Sequence, residues 1–285
     1  MSWLDYLKAW PLYLLPQHAV SRLVYRLTRI ESPRVPKAIA LFSRAFGVNL
    51  DEAEHPDPAS YPTFNAFFTR RLKPEARTLR PGLRQLVSPV DGTISQLGPI
   101  SAGRIIQAKG HAYSVLELLG GDEQRAAPFA EGQFITLYLS PRDYHRIHMP
   151  LAGSLREQVY VPGRLFSVAP HTVRTIPRLF ARNERVVAIF DTEFGRLAMV
   201  LVGAINVAAI ETVWDGLITP PHRNSIGINQ YAGLNLAQGE EMGRFNMGST
   251  VILLLEQGDL LWESGRVPGY PVQLFAPLGQ LLPER

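Results

Sequence analysis

The chain has 285 residues, of which 46% are hydrophobic and 19% charged, with 23 Gly, 23 Pro, no Cys and a formal charge of +4. That length allows one large domain or two modest ones, and so sparse a charge excludes a disordered chain or a coiled coil. The lack of Cys removes disulfides, thiolate nucleophiles and Cys-based zinc sites in one step.

At the N-terminus, Trp3, Tyr6, Trp10 and Tyr13 cluster with leucines, and aromatics of this kind favour the headgroup level of a bilayer. From residue 17 to 30, Ala19, Val20, Leu23, Val24, Leu27 and Ile30 recur at helical spacing, with Arg22, Arg26 and Arg29 on the other side. The spacing predicts a basic amphipathic helix. Residues 1–50 hold seven basic residues against two acidic ones, a balance suited to nucleic acid or anionic lipid. Two readings stay open for this helix: it lies on a membrane, or it packs on the domain as an ordinary surface helix. The best apolar run, 197–210, is interrupted by Asn206 and falls short of the ~20 residues a spanning helix needs. Asp5, Pro11 and Pro16, without a basic leading segment, argue against a signal peptide.

A second short helix is expected over 36–46, ended by Gly47, and residues 51–62, rich in Pro and acids, read as a linker. A third helix is expected from Thr63 through Phe68. From about residue 85 the pattern turns to strands, at 134–139, 186–190, 197–210 and 250–255, separated by Gly and Pro. The expected class is α+β: N-terminal amphipathic helices over 1–50, then a β-rich, mostly antiparallel catalytic domain over 51–285.

Without Cys, the candidate nucleophiles are Ser, Thr and Lys, and three segments combine them with acids or bases. In Ser88-Pro-Val-Asp91-Gly92, Asp91 is either a turn residue or an acid of a site. In residues 140–150, His145 and His148 lie among charged residues. On a regular strand, positions three apart face opposite sides, so both serve one site only if the chain bends there. A metal held by the two His and Asp143 lacks a further ligand. In Met247-Gly248-Ser249-Thr250, a Gly-containing loop meets an apolar strand; it is either a turn or a nucleophile whose neighbouring carbonyl is sterically open.

Taken together and in this order, Ser-Pro-Val-Asp-Gly, Tyr-Leu-Ser-Pro-Arg-Asp-Tyr-His-Arg-Ile-His-Met-Pro and Gly-Ser-Thr resemble the prokaryotic phosphatidylserine decarboxylases. The likeness covers roughly residues 50 to 256 and includes Thr63-Phe-Asn, Gln107-Ala-Lys-Gly-His, Tyr160-Val-Pro-Gly, Phe180-Ala-Arg-Asn-Glu-Arg and Glu211-Thr-Val-Trp. The family's usual Leu before Gly-Ser-Thr is Met247 here, a swap of similar volume and polarity.

The resemblance implies that His148, oriented by Asp91, takes the proton of Ser249, whose oxygen attacks the carbonyl of Gly248. The chain is then cut between Gly248 and Ser249 into a β chain (1–248) and an α chain (249–285). Ser249 becomes a covalent pyruvoyl group, the sole cofactor, with no metal. In turnover, phosphatidylserine would form a Schiff base with the pyruvoyl ketone and lose CO₂ to give phosphatidylethanolamine, with His145 assisting decarboxylation or the later protonation. Implied partners are the phosphatidylserine substrate, an anionic membrane surface on the cytoplasmic side with the protein bound peripherally, and a second protomer in a homodimer; nucleic acid is not among them. Two rivals remain from the residues alone: a serine hydrolase using Ser249, His148 and Asp91, weakened by the missing Gly-x-Ser-x-Gly elbow, and a membrane-binding module without catalysis.

Overall fold

The computed structural model describes residues 3–80, 82, 84–108, 110–205, 209–246, 249–256 and 260–282. Five helices come first: α1 (Trp3–Ala9), α2 (Pro11–Leu14), α3 (Gln17–Leu27), α4 (Val35–Phe46) and α5 (Phe64–Phe68). Their ends follow local chemistry. Pro36 sits in the first turn of α4, where its missing N–H costs nothing, and Gly47, at φ 70°, closes the helix in the left-handed conformation. The Thr63 side chain accepts from Ala66 N at the start of α5.

The expected linker over 51–62 is not free. Tyr61 and Ala53 are buried, Ala53 bridges Leu72, and Tyr61 joins Val35, Ile39, Phe67 and Phe68 in a small second core with Phe42 and Phe64 against it. Pro and acid content marks this stretch as irregular, yet its aromatic anchors it.

The remainder is a β-rich body. Its main sheet has nine strands, in the order Gly227–Gln230, Gly153–Val161, Arg185–Thr192, Gly195–Val202, Thr250–Leu255, Gln133–Tyr138, Gly92–Pro99 and Pro271–Val272, with Asn235–Leu236 also pairing 153–161. Every pairing in it is antiparallel. All six residues of Thr250–Leu255 are buried, because both faces of the central strands are covered; their sequences therefore read as apolar runs without alternation. The expected strand at 197–210 resolves into Gly195–Val202 and, past residues outside those described, Ile210–Thr212. Ile210–Thr212 belongs to a smaller sheet with Gly216–Thr219, Glu241–Phe245 and Arg146–His148. The outcome is the α+β arrangement expected, with helices leading an antiparallel β body.

Helix α3 docks inside out. Its buried residues are Gln17 and Ser21, while Leu23 and Leu27 are 57% and 54% exposed. Gln17 Oε1 accepts from Leu165 N at 2.8 Å, and its amide donates to Leu12 O at 2.6 Å. Trp3, Tyr6, Leu7, Trp10 and Leu14 are also exposed, as are Ile30, Leu41 and Phe46. Helix α3 thus packs on the domain through polar residues, with Val20 and Val24 half-buried and Leu23 and Leu27 of the apolar stripe facing outward.

Gly92 is set by backbone approach: a Cβ there would lie 2.5 Å from Tyr138 O. Gly92→Ala must push the paired strands 92–99 and 133–138 apart, and is expected to cost about 1–3 kcal/mol, typical of overpacking, read as a fall in the denaturant midpoint. Ala at Gly47, where a Cβ meets nothing within 4 Å, should cost only the left-handed backbone penalty of about 1–2 kcal/mol.

Candidate active site

The antiparallel register brings the three chemistry-bearing segments together. Tyr138 is opposite Thr93 on one side and Thr250 on the other, and Thr250 is opposite Val202. One step further along, Gly92, Leu139, Ser249 and Gly203 therefore line one end of the sheet, with Leu139 N donating to Ser249 O at 2.9 Å. Asp91 immediately precedes Gly92. The chain leaving Leu139 folds back because the Asp143 carboxylate accepts from Ser140 N at 2.6 Å and Ser140 Oγ at 2.8 Å, which supplies the bend that the histidine spacing requires. His148 N then donates to Pro89 O at 2.9 Å, and Phe245 N to His145 O at 3.0 Å. The segments 88–92 and 140–150 thus meet the strand Glu241–Phe245, which leads toward Ser249.

Asp91 is no mere turn residue. Its carboxylate accepts from Leu274 N at 2.7 Å and takes a two-pronged bond from Arg77, Nε at 2.9 Å and Nη2 at 2.7 Å. Arg77 also reaches Glu52 at 2.8 Å. A buried carboxylate needs such donors to stay charged.

His148 is oriented differently from the expectation. Its Nδ1 lies 2.8 Å from Gly239 O and its Nε2 3.1 Å from Tyr144 Oη. A carbonyl only accepts, so the proton sits on Nδ1 and Nε2 keeps a lone pair that receives the Tyr144 hydroxyl. The oxygens of Asp91 are taken by Arg77 and Leu274 N; the Gly239 carbonyl, not Asp91, fixes the ring, and Asp91 acts on it through space. Burial lowers the His148 pKa, assisted by Arg146 and opposed by the Gly239 carbonyl, Glu241 and Asp91. The imidazole is therefore neutral and basic at Nε2 at pH 7.

His145 lies against Phe68 of α5, ring centroids 4.2 Å apart, so the two imidazoles have different neighbours. Its Nδ1 is 2.7 Å from Asp143 O, which again leaves the lone pair on Nε2, and that atom is buried with no hydrogen-bond partner. Burial and the Arg70 guanidinium push its pKa down to about 3 against the Asp143 carbonyl. Ser249 is fully buried, and its Oγ also has no partner. Buried hydroxyls in proteins are normally hydrogen-bonded, so the unpartnered Ser249 Oγ is a candidate for chemistry rather than for support of the fold. Gly248, the other half of the expected cleavage site, and Met247 lie outside the described residues. An apolar cavity of about 220 Å³, lined by Phe42, Phe46, Phe68, Leu139 and Ile205 among others, opens beside the Leu139 end of the sheet.

Arg77, Tyr144, Gly239 and Phe68 escaped the sequence reading. Tyr144 alone carried a signal, from its place between Asp143 and His145; Arg77 and Gly239 are distant in sequence and reach the site only through the fold.

Comparison with known proteins agrees with this geometry. A family model described as phosphatidylserine decarboxylase matches residues 64–272, and a second, described as PSD, matches 7–47. A relative from Nitrosococcus oceani is 58% identical over 98% of this chain and 92% of its own length. Others from Alkalilimnicola ehrlichii, 59% identical over 88% of each chain, and from Marinobacter nauticus, 54% identical over 94% and 96%, carry the same name, phosphatidylserine decarboxylase proenzyme. With its site segments converging as described and such relatives matched along nearly its whole length, the chain belongs to the phosphatidylserine decarboxylase family.

Proposed function

We propose that this enzyme decarboxylates phosphatidylserine to phosphatidylethanolamine at an anionic membrane surface, using a pyruvoyl group made from Ser249 by self-cleavage of the Gly248–Ser249 bond. The observation that carries the proposal is the convergence of 88–92, 140–150 and 249–250 around a buried, unpartnered Ser249 Oγ. In maturation, His148 Nε2 takes the Ser249 hydroxyl proton and Oγ attacks the Gly248 carbonyl carbon, so that the amide becomes an ester as the C–N bond breaks. Loss of the Ser249 α-proton then expels the 1–248 carboxylate; the enamine left on residue 249 tautomerises and takes up water, releasing ammonia. Asp91, bonded to Arg77, raises the His148 pKa through space against the effect of burial. A bound pyruvoyl ketone supplies an electron sink for the electrons left when CO₂ departs. His145, with an unpartnered Nε2, is the candidate for assisting decarboxylation or the later protonation.

One observation favours exchanging the two histidines: His145 Nε2 is unpartnered whereas His148 Nε2 already receives the Tyr144 hydroxyl. The expected outcome is that His148→Ala blocks cleavage while His145→Ala cleaves and decarboxylates poorly, read by denaturing intact mass and by CO₂ release; the opposite pattern assigns the base to His145. Ser249→Ala removes a hydroxyl with no hydrogen bond, so cleavage should vanish while stability changes by less than about 1 kcal/mol. Because burial lowers the His148 pKa, the cleavage rate of freshly translated chain should stay level from neutral to mildly alkaline pH. It should fall only on the acid side of the usual imidazole range, once Nε2 is protonated.

Residues 1–50 serve as the membrane-docking region of this reading and 51–285 as the catalytic domain. Two energies would add: about 25 cal/mol per Å² of apolar area removed from water, and about 1 kcal/mol for each basic residue near an anionic surface, screened by salt. Arg22, Arg26, Arg34, Lys37 and Arg44 are exposed, whereas Arg29 is engaged by Asn246 at 2.9 Å. Leu23→Asp with Leu27→Asp should weaken sedimentation with anionic vesicles and slow turnover on bilayers, yet leave cleavage intact, since neither side chain supports the fold. Unchanged sedimentation would move the lipid contact elsewhere.

A further inference from the structure

Two histidines outside the reaction face each other where α3 meets the β body. His18 comes from the first turn of α3 and His222 from the turn after the strand Gly216–Thr219; their ring centroids are 4.2 Å apart. Glu184, just ahead of the strand Arg185–Thr192, is 2% exposed. Its carboxylate receives the Tyr160 hydroxyl and lies 2.8 Å from His222 Nδ1 through both oxygens. His18 Nε2 is 3.0 Å from Gly163 O. Carbonyl and carboxylate oxygens only accept, so both of those ring nitrogens carry protons, and the lone pairs fall on His18 Nδ1 and His222 Nε2. Both are buried and neither has a hydrogen-bond partner. Two buried lone pairs and a buried carboxylate, with no donor for the former, form a site short of positive charge.

We propose that His18, Glu184 and His222 bind one divalent transition-metal ion of the zinc class, which fastens α3 to the catalytic body. One ligand atom from each of the three residues can be chosen within 4.8 Å of the others. Around a tetrahedral zinc with bonds of about 2.0–2.1 Å, neighbouring ligand atoms are roughly 3.4 Å apart; Glu184 already lies 2.8 Å from His222 Nδ1, so the ion would replace the Nδ1 proton between them, and His18 would close on that pair from within 4.8 Å. Two imidazoles and one carboxylate suit zinc and its neighbours in the first transition row better than calcium or magnesium, which prefer all-oxygen shells. The backbone around the set is stiff. Gly203 N donates to Glu184 O at 2.9 Å, and a Cβ at Gly163 would lie 2.5 Å from the backbone of Arg182, Asn183 and Glu184. Burial and His222 lower the His18 pKa, Glu184 and the Gly163 carbonyl raise it, and Arg22 on the same helix adds the smallest, lowering part.

The ion would sit on the one helix that is attached by polar groups and carries its apolar stripe outward, and so would set the position of that stripe relative to the catalytic body. The test is calorimetric titration of the chelator-stripped full chain with Zn²⁺, beside the double variant His18→Gln/His222→Gln. The expected result is one site per chain whose affinity falls at least about tenfold to a hundredfold in the variant, at or above the loss seen when only a ligand's outer partner is removed. Equal affinity in the two proteins, or no binding to either, overturns the proposal. If the variant does not fold, hydrogen exchange on the wild-type chain decides. Zn²⁺-dependent protection of residues 17–27, 183–185 and 222–223 supports the site, and protection elsewhere or none refutes it. Neither readout depends on decarboxylation, so failure here leaves the catalytic reading standing.

Discussion

Antiparallel pairing in the main sheet is the constraint on which the site rests. Thr93, Tyr138, Thr250 and Val202 are held level by ladder hydrogen bonds, and this brings the ends of four strands from four distant parts of the sequence to one place. Strand side chains alternate with period two, so a slip of one residue between 250–255 and 133–138 would send Ser249 to the opposite face, away from the 140–150 segment. The register is protected by burial on both faces of Thr250–Leu255 and by Gly92, whose missing Cβ lets two backbones approach. A serine whose hydroxyl has no bond of its own is held in this way by backbone, as Ser249 is by Leu139.

The charges around the site follow from the same economy of space. Asp91 is too buried to remain charged without partners, and Arg77 with Leu274 N provides them. Glu52 tethers Arg77 from the segment wrapped around α4, so the small helical core and the reacting end of the sheet share one guanidinium. Replacing Arg77 would strand the Asp91 carboxylate, and loss of one partner of a buried pair is costlier than loss of both. The two histidines show the opposite solution. His145 is buried and His148 half-buried, neither has a carboxylate in hydrogen-bond contact, and both stay neutral, each with its proton fixed on Nδ1 by a backbone carbonyl.

Elements with strong local signals were legible in the sequence. The cap and stop of α4 and α5, the strand 250–255 and the division into helices followed by strands could be read from periodicity, Thr63 and Gly47. The segments of the site could be read too, since Asp91, His145, His148 and Ser249 stand in dense polar runs. What could not be read depends on long-range pairing. The partner of Asp91 is an Arg fourteen residues upstream in an irregular stretch, and the group that orients His148 is a backbone carbonyl at Gly239, which has no side chain to notice. Residues 51–62 looked like a linker because Pro and acids mark irregular chain, and composition does not reveal that Tyr61 is buried under α4. Periodicity predicted the amphipathic character of α3 but could not say which face points inward.

That orientation carries the physical argument furthest. A helix normally buries its apolar stripe, because each Å² removed from water is worth about 25 cal/mol; α3 instead buries Gln17 and Ser21 and leaves Leu23 and Leu27 in water. The attachment relies on hydrogen bonds, each worth about 1 kcal/mol net: Gln17 to Leu165 and Leu12, His18 to Gly163, and Arg29 to Asn246. An outward apolar stripe is a cost to the isolated chain that only an apolar surface repays. Arg29, just past the end of α3, bonds Asn246, two residues ahead of Gly248, and Asn246 in turn bonds Glu211 at 2.9 Å, so one hydrogen bond joins the end of this helix to the segment leading into Ser249. Where α3 sits and how that segment is held are therefore not independent.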